Sequence, residues 1–122
     1  MTDEISAYAK GVMGENAACD HLCQKGMQML ERRFRSPVGE VDLIMLDGSV
    51  LVFVEVKSRQ RSTCMQTQYS ITPLKQRRLA ETARYYLARH PEHGARVMRF
   101  DAVLVARDGI LHIPNAYEGR EW

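Results

Sequence analysis

The sequence predicts a single α/β domain, a central mixed β-sheet flanked by helices in the order αβββαββ. Three observations predict it. Two apolar runs rich in β-branched residues meet at Asp47-Gly48, a dipeptide that favours tight hairpins. A second pair, Asp108-Gly109, joins two later apolar runs. Between them, residues 74–90 form a basic stretch with apolar positions at helical spacing. A length of 122 residues is that of one domain, here 1–122, with residues 114–122 expected to be a loosely held polar tail.

Taken in order, residues 3–25 read as a helix, because Ile5, Tyr8, Val12, Cys19, Leu22 and Cys23 recur at roughly helical spacing. Thr2 or Asp3 can cap its start and Gly26 its end. Gly11 and Gly14 weaken it, each by about 1 kcal/mol relative to alanine. Residues 27–34 read as a short strand and residues 36–39 as a turn. Residues 40–46 and 50–58 are the two strands of the first hairpin. Residues 60–70 are polar and expected to form an irregular loop. Pro73 suits the first turn of the second helix, whose inward positions are Leu79, Ala83, Tyr86 and Leu87. Residues 99–106 and 110–113 complete the sheet.

Bulk properties exclude several classes. No apolar run approaches the ~20 residues of a membrane-spanning helix. Asp3 and Glu4 stand where a secretory signal carries positive charge, so a cytoplasmic protein without membrane association is expected. Three cysteines, an odd number without a regular framework, read as reduced thiols. Cys19 and Cys23 with His21 lack the further ligands of a zinc site. The net charge of +2 makes no strong argument for nucleic acid; its distribution matters more.

The hairpin strands, GEVDLI and LVFVEVKSR, carry charges among apolar residues. Alternation puts Phe53, Glu55 and Lys57 on one face and Val52, Val54 and Val56 on the other. Pairing through Asp47-Gly48 sets Asp42 near Phe53, about two positions from Glu55. With twist or a bulge, both carboxylates reach one ion. Clustered carboxylates repel, and a divalent cation removes that penalty. Oxygen ligands without His or Cys suit Mg2+ or Mn2+. Lys57, two residues on, can hold a water or offset developing negative charge. Such a set is equipped for metal-assisted phosphodiester cleavage. The same residues also fit a solvated strand face with Asp42 as a turn-proximal cap, and the pattern alone leaves both readings open.

The combined motifs resemble the YraN-like family of small bacterial proteins, which is similar to archaeal Holliday-junction resolvases of the PD-(D/E)XK nuclease superfamily. The resemblance rests on GEVDLI and LVFVEVKSR, on Gly11-Val12-Met13-Gly14-Glu15 with Ala18, on Lys75-Gln76-Arg77-Arg78-Leu79, and on Arg99-Phe100-Asp101. It implies a restriction-endonuclease-like core. It implies that Asp42 and Glu55 are metal ligands, joined by the backbone carbonyl of Val56. Lys57 would be the catalytic lysine and Glu15 a further acid at the metal. Glu40 and Gln60 are additional candidates. Two departures stand out: Arg33 replaces the Asn of an Asn-x-Arg motif, and Met65 stands near a usual Gly. Gly11 and Gly14 would let the first helix approach the sheet and bring Glu15 towards Asp42 and Glu55.

Basic residues gather around the proposed centre, with Arg35 before the first turn, Arg59 and Arg61 after Lys57, and Lys75 and Arg78 on the second helix. These are the candidate nucleic-acid contacts, directed at backbone phosphates and not at base sequence. The expectation is a Mg2+- or Mn2+-dependent endonuclease acting on branched or junction DNA. The alternative is a non-catalytic nucleic-acid-binding module on the same fold. Resolvases of this type act as dimers, so the resemblance also raises a homodimer, for which no interface is legible in the sequence.

Overall fold

The computed structural model describes residues 7–67 and 72–116. The elements follow the expected order. Helix α1 (Ala7–Gln24) leads into strands β1 (Gln28–Ser36), β2 (Gly39–Asp47) and β3 (Val50–Arg59). A single helical turn, α2 (Cys64–Thr67), precedes helix α3 (Pro73–Arg89). A 3-10 turn at Pro91–His93 leads to β4 (Met98–Ala106) and β5 (Gly109–Ile113). The five strands form one mixed sheet in the order β1-β2-β3-β4-β5. Only β3 and β4 run parallel, joined by the α3 crossover.

Each helix covers one face of the sheet. Ala18, Cys19 and Leu22 of α1 pack on Leu43, Met45, Val52, Val54 and Val103. Leu79, Ala83 and Tyr86 of α3 pack on Val41, Ile44, Leu51, Phe53 and Phe100. Every fully buried side chain of this size contributes ~1.5–3 kcal/mol, so these two layers carry the stability of the domain. The start of α3 is fixed by Thr72, whose hydroxyl accepts the Lys75 backbone N–H, and by Pro73 in the first turn.

The first hairpin differs from expectation by one residue. Asp47 pairs with Val50, so Gly48-Ser49 is the two-residue loop, and Gly48 takes the left-handed backbone it requires (φ 60°). The second hairpin shifts the other way, with Ala106 paired to Gly109 around Arg107-Asp108, so the positive-φ glycine (Gly109, φ 133°) follows the loop. The polar loop after β3 is also more ordered than expected, since α2 forms within it, while residues 68–71 lie outside the described residues. Beyond β5, the backbone N–H groups of Asn115 and Ala116 bond to the Asp101 carboxylate and the Phe100 carbonyl, and Ala116 packs on the core. The segment read as a loose tail is therefore tied down at residues 115 and 116; residues 117–122 lie outside the described residues, as do residues 1–6 of the expected first helix.

Two features of α1 and β1 position the site. At Gly14 the helix lies so close to β3 that a Cβ would come within 2.7 Å of the Ser58 Cβ. Arg33 on β1 has φ 53°, a left-handed conformation that asparagine tolerates and arginine seldom adopts. This is the position where the resembling family carries Asn.

Candidate metal and phosphate site

The site forms where β2 and β3 part. Their ladder ends at Leu43 opposite Val54. Asp42 and Glu55 lie just beyond this last pair, close enough for their charges to interact. Val41 and Ile44 both pack on the α3 side, whereas Leu43 packs on the α1 side. A step of three residues cannot return to the same face of a regular strand, so the alternation of β2 breaks at Asp42, while its pairing with β1 stays in register on both sides. The Asp42 carboxylate takes over the missing ladder bond, accepting the Val56 N–H at 2.7 Å.

The other charges converge on this point from three elements. Glu15, carried by α1 beside Gly14, is only 8% exposed. Its carboxylate accepts from Arg33 Nε at 2.6 Å. Glu55 forms an ion pair with Lys57 at 3.0 Å. Lys75 of α3 is within hydrogen-bonding reach of Lys57. Burial first, then the negative charges of Glu55 and Glu15, push Asp42 up to about 7, against the opposing pull of the Val56 N–H and Lys57. Burial works against the Lys57 ammonium. Hydrogen bonding with Lys75 and the Glu55 carboxylate outweigh it and hold its pKa above the ordinary lysine value. Lys75 is lowered in return, chiefly through its bond with Lys57.

These residues open onto a cleft of about 620 Å3 lined by Gly11, Glu15, Asp42 and residues 56–62. Arg59, Gln60 and Arg61 are among its walls, as the sequence suggested. A smaller cavity of about 230 Å3 lies on the other side of Asp42 and Glu15, closed by Arg33, Arg35, Glu40 and Val41. Arg35 and Arg78 belong to a shallower groove around the β1–β2 turn, where Arg35 pairs with Glu40 at 3.4 Å. The basic residues thus divide: Arg59, Arg61 and Lys75 lie near the carboxylates, Arg78 lies in the shallower groove, and Arg35 borders both that groove and the small cavity beside Asp42 and Glu15.

The family model described as the uncharacterised protein family UPF0102 matches residues 14–105, a stretch that begins at Gly14-Glu15 and takes in both hairpin motifs, the basic helix and Asp101. The chain belongs to this family. A UPF0102 protein of Rhodopseudomonas palustris (strain BisB18) is 38% identical over 117 residues, covering 95% of this chain and 85% of its own. One from Bradyrhizobium diazoefficiens is 36% identical over 117 residues, covering 95% of this chain and 86% of its own. The YraN-like membership expected from the motifs is the same family. UPF0102 membership accounts for the fold and the motif positions.

The donor set of this UPF0102 chain suits a hard divalent ion. Asp42 and Glu55 are adjacent carboxylates crowded enough to raise a pKa, and Glu15 adds a third within electrostatic reach. Among the described residues, no three His, Cys, Asp or Glu side chains form a ready-made cage. A Mg2+ ion needs none, since it keeps several waters and takes one or two carboxylates with substrate phosphate. Among the described residues, no helix is long and apolar enough to cross a membrane.

Sequence reasoning missed two partners. In the sequence Arg33 stands out only as a departure from an Asn-x-Arg motif, yet it is the direct partner of Glu15. Its replacement of a small polar residue was the visible signal. Asp101 was noted only within a motif. It is fully buried on β4, where Arg99, His112 and the Asn115 N–H bond to it.

Proposed function

We propose that this protein is a divalent-metal-dependent phosphodiesterase that cuts DNA, with branched or junction structures as its preferred substrates. One observation carries the reading: Asp42 sits in a polar cleft, raised to about 7 by burial and by Glu55 and Glu15, with cationic Lys57, Arg59 and Arg61 at hand. Carboxylates crowded in this way are stabilised by a dication, and the surrounding cations suit a polyanionic backbone.

In this reading Asp42 and Glu55 hold Mg2+ or Mn2+, with Glu15 and the Val56 carbonyl as further ligands. The bound ion would supply an activated water and positive charge at the scissile phosphate. Lys57 stays protonated and donates to a non-bridging phosphate oxygen, where charge grows as water adds to phosphorus. The P–O bond then breaks and the leaving oxygen takes a proton, giving a phosphomonoester and a hydroxyl. Arg59 and Arg61 hold neighbouring phosphates, with Lys75 behind Lys57. Gln60 and Glu40 orient waters or substrate at the rim. Arg35 and Arg78 would engage a second arm of a branched substrate along their separate groove. A homodimer would suit a two-fold symmetric junction.

A second reading has its own support. Each carboxylate already has an internal partner: Glu15 has Arg33, Glu55 has Lys57, and Asp42 has the Val56 N–H. A site balanced in this way could bind nucleic acid without cutting it. Incubation with linear, flapped and four-way-junction DNA in Mg2+ and in Mn2+ separates the two. Cleavage by the native chain that Glu55→Ala abolishes supports the enzyme. Salt-sensitive binding without cleavage in either metal supports the binding module.

A further inference from the structure

Arg33 occupies an unusual position. Its neighbours Arg32 and Phe34 pair with Leu43 and Val41 of β2, so Arg33 stands across from Asp42. Its backbone is left-handed, with φ 53°, a conformation that costs an arginine ~1–2 kcal/mol. The ion pair with Glu15 is short, at 2.6 Å, and the Glu15 side chain is only 10% exposed. The pair is therefore shielded from solvent on the carboxylate side, where charge–charge interactions are strong. Gly14 fixes where this happens, because α1 could not otherwise lie against Ser58.

Three carboxylates, Glu15, Asp42 and Glu55, face two cations, Arg33 and Lys57, within this small volume. Glu15 is near enough to act on the charge of Asp42, so a dication held by Asp42 and Glu55 would attract Glu15 and repel the guanidinium bound to it. Arg33 Nε engages Glu15 Oε2, so a metal or metal-bound water that takes this oxygen has to displace it. Arg33 and the ion therefore draw on the same carboxylate.

We propose that Arg33 is an internal competitor for the divalent ion: its guanidinium holds Glu15 in the metal-free protein and yields that carboxylate when the ion binds beside Asp42. The inference rests on the metal site proposed above and assigns Arg33 a tuning role there. Arg33 keeps the metal-free carboxylate cluster folded and weakens metal binding. Linkage makes the two effects reciprocal, since whatever the ion gains at Glu15 the arginine loses.

Calorimetric titration with Mn2+ tests this on the full chain. Arg33→Asn removes the charge with a residue that tolerates the left-handed backbone, so the variant keeps its fold. It is expected to bind Mn2+ about tenfold more tightly than the native chain, a shift of ~1.4 kcal/mol. Arg33→Lys, which keeps the charge, is expected to stay near native affinity. Glu15→Gln should cancel the gain: the double variant with Arg33→Asn binds no more tightly than Glu15→Gln alone. Unchanged or weaker binding in Arg33→Asn overturns the inference, since an arginine that merely supports the site would weaken it on removal. Mn2+ binding by neither the native chain nor Arg33→Asn instead overturns the metal-site reading beneath it.

Discussion

The Asp42 carboxylate accepts the backbone N–H of Val56 at 2.7 Å, at the point where the β2–β3 ladder stops. A side chain has taken the place of a strand. The bond leaves Asp42 half-buried at the end of the ladder, near Glu55 and lining the cleft. Asp42 and Glu55 are brought within electrostatic reach of each other here, where the alternation of β2 breaks.

Charge crowding at Asp42 predicts a gain in stability when that charge is removed. In metal-free buffer at pH 8, Asp42→Asn should raise the urea midpoint, because the amide keeps the contact with Val56 and sheds the repulsion from Glu55 and Glu15. The same variant should lose its response to Mn2+. A lower midpoint would mean that Asp42 is needed as a charged structural cap.

Close packing at Gly14 predicts a rescue. Gly14→Ala sets a Cβ 2.7 Å from the Ser58 Cβ and 2.8 Å from its hydroxyl, so α1 or β3 must move. The cost should be about 1–3 kcal/mol in denaturant unfolding. Ser58→Gly removes both clashing atoms, and the double variant should recover most of the loss. Two independent losses that simply add would refute the close approach.

Asp101 predicts a pH dependence of stability. Burial opposes its ionisation. The hydrogen bonds from Arg99, His112 and the Asn115 N–H outweigh burial and hold the carboxyl below its usual 3.8. Its folded pKa lies below the unfolded one, so its contribution is complete above 3.8 and is lost as pH falls through the folded value. Asp101→Asn should cost roughly 1–3 kcal/mol at pH 7, because hydrogen bonds to a buried carboxylate are lost while Arg99 keeps its pair with Asp47. The gap between native and variant should close below pH 3.8. A gap that stays constant down to pH 2.5 would contradict the charged network.

The two groups of basic residues predict unequal effects on DNA binding. Arg59 and Arg61 line the cleft with Asp42. Arg59→Ala or Arg61→Ala should weaken binding and reduce the slope of log K against log salt by about 1 each, equally for unrelated sequences. Arg35 already pairs with Glu40 in the other groove, so Arg35→Ala should change linear-duplex binding less than either. Equal losses at all three positions would mean that the two grooves act as one surface.

Much of the fold was legible because its signals are local. Alternating β-branched runs, two Asp-Gly turns and the Pro73 helix start each act over a few residues. The sequence could not show the one-residue shift at Gly48-Ser49, because Asp47-Gly48 and Gly48-Ser49 are both acceptable loops and tertiary register chooses between them. The break in alternation at Asp42 was hidden as well. Strict alternation assigns Asp42 and Ile44 to one face, yet packing under α3 requires Val41 and Ile44 there. The charges of Asp42, Glu55 and Lys57 were visible as anomalies within apolar strands. The Arg33–Glu15 pair was not, because the partners lie on different elements and their meeting depends on a left-handed residue and a glycine contact.

The most direct test of the central claim is Mg2+-dependent cleavage of a four-way DNA junction by the native chain, Asp42→Asn and Lys57→Ala in parallel. The account predicts that the native chain cuts, that chelation stops it, and that each substitution lowers the rate at least ~100-fold while the variants remain folded. Cleavage that persists in Asp42→Asn or Lys57→Ala, or no cleavage by the native chain of any junction, flap or linear DNA in either Mg2+ or Mn2+, would contradict it.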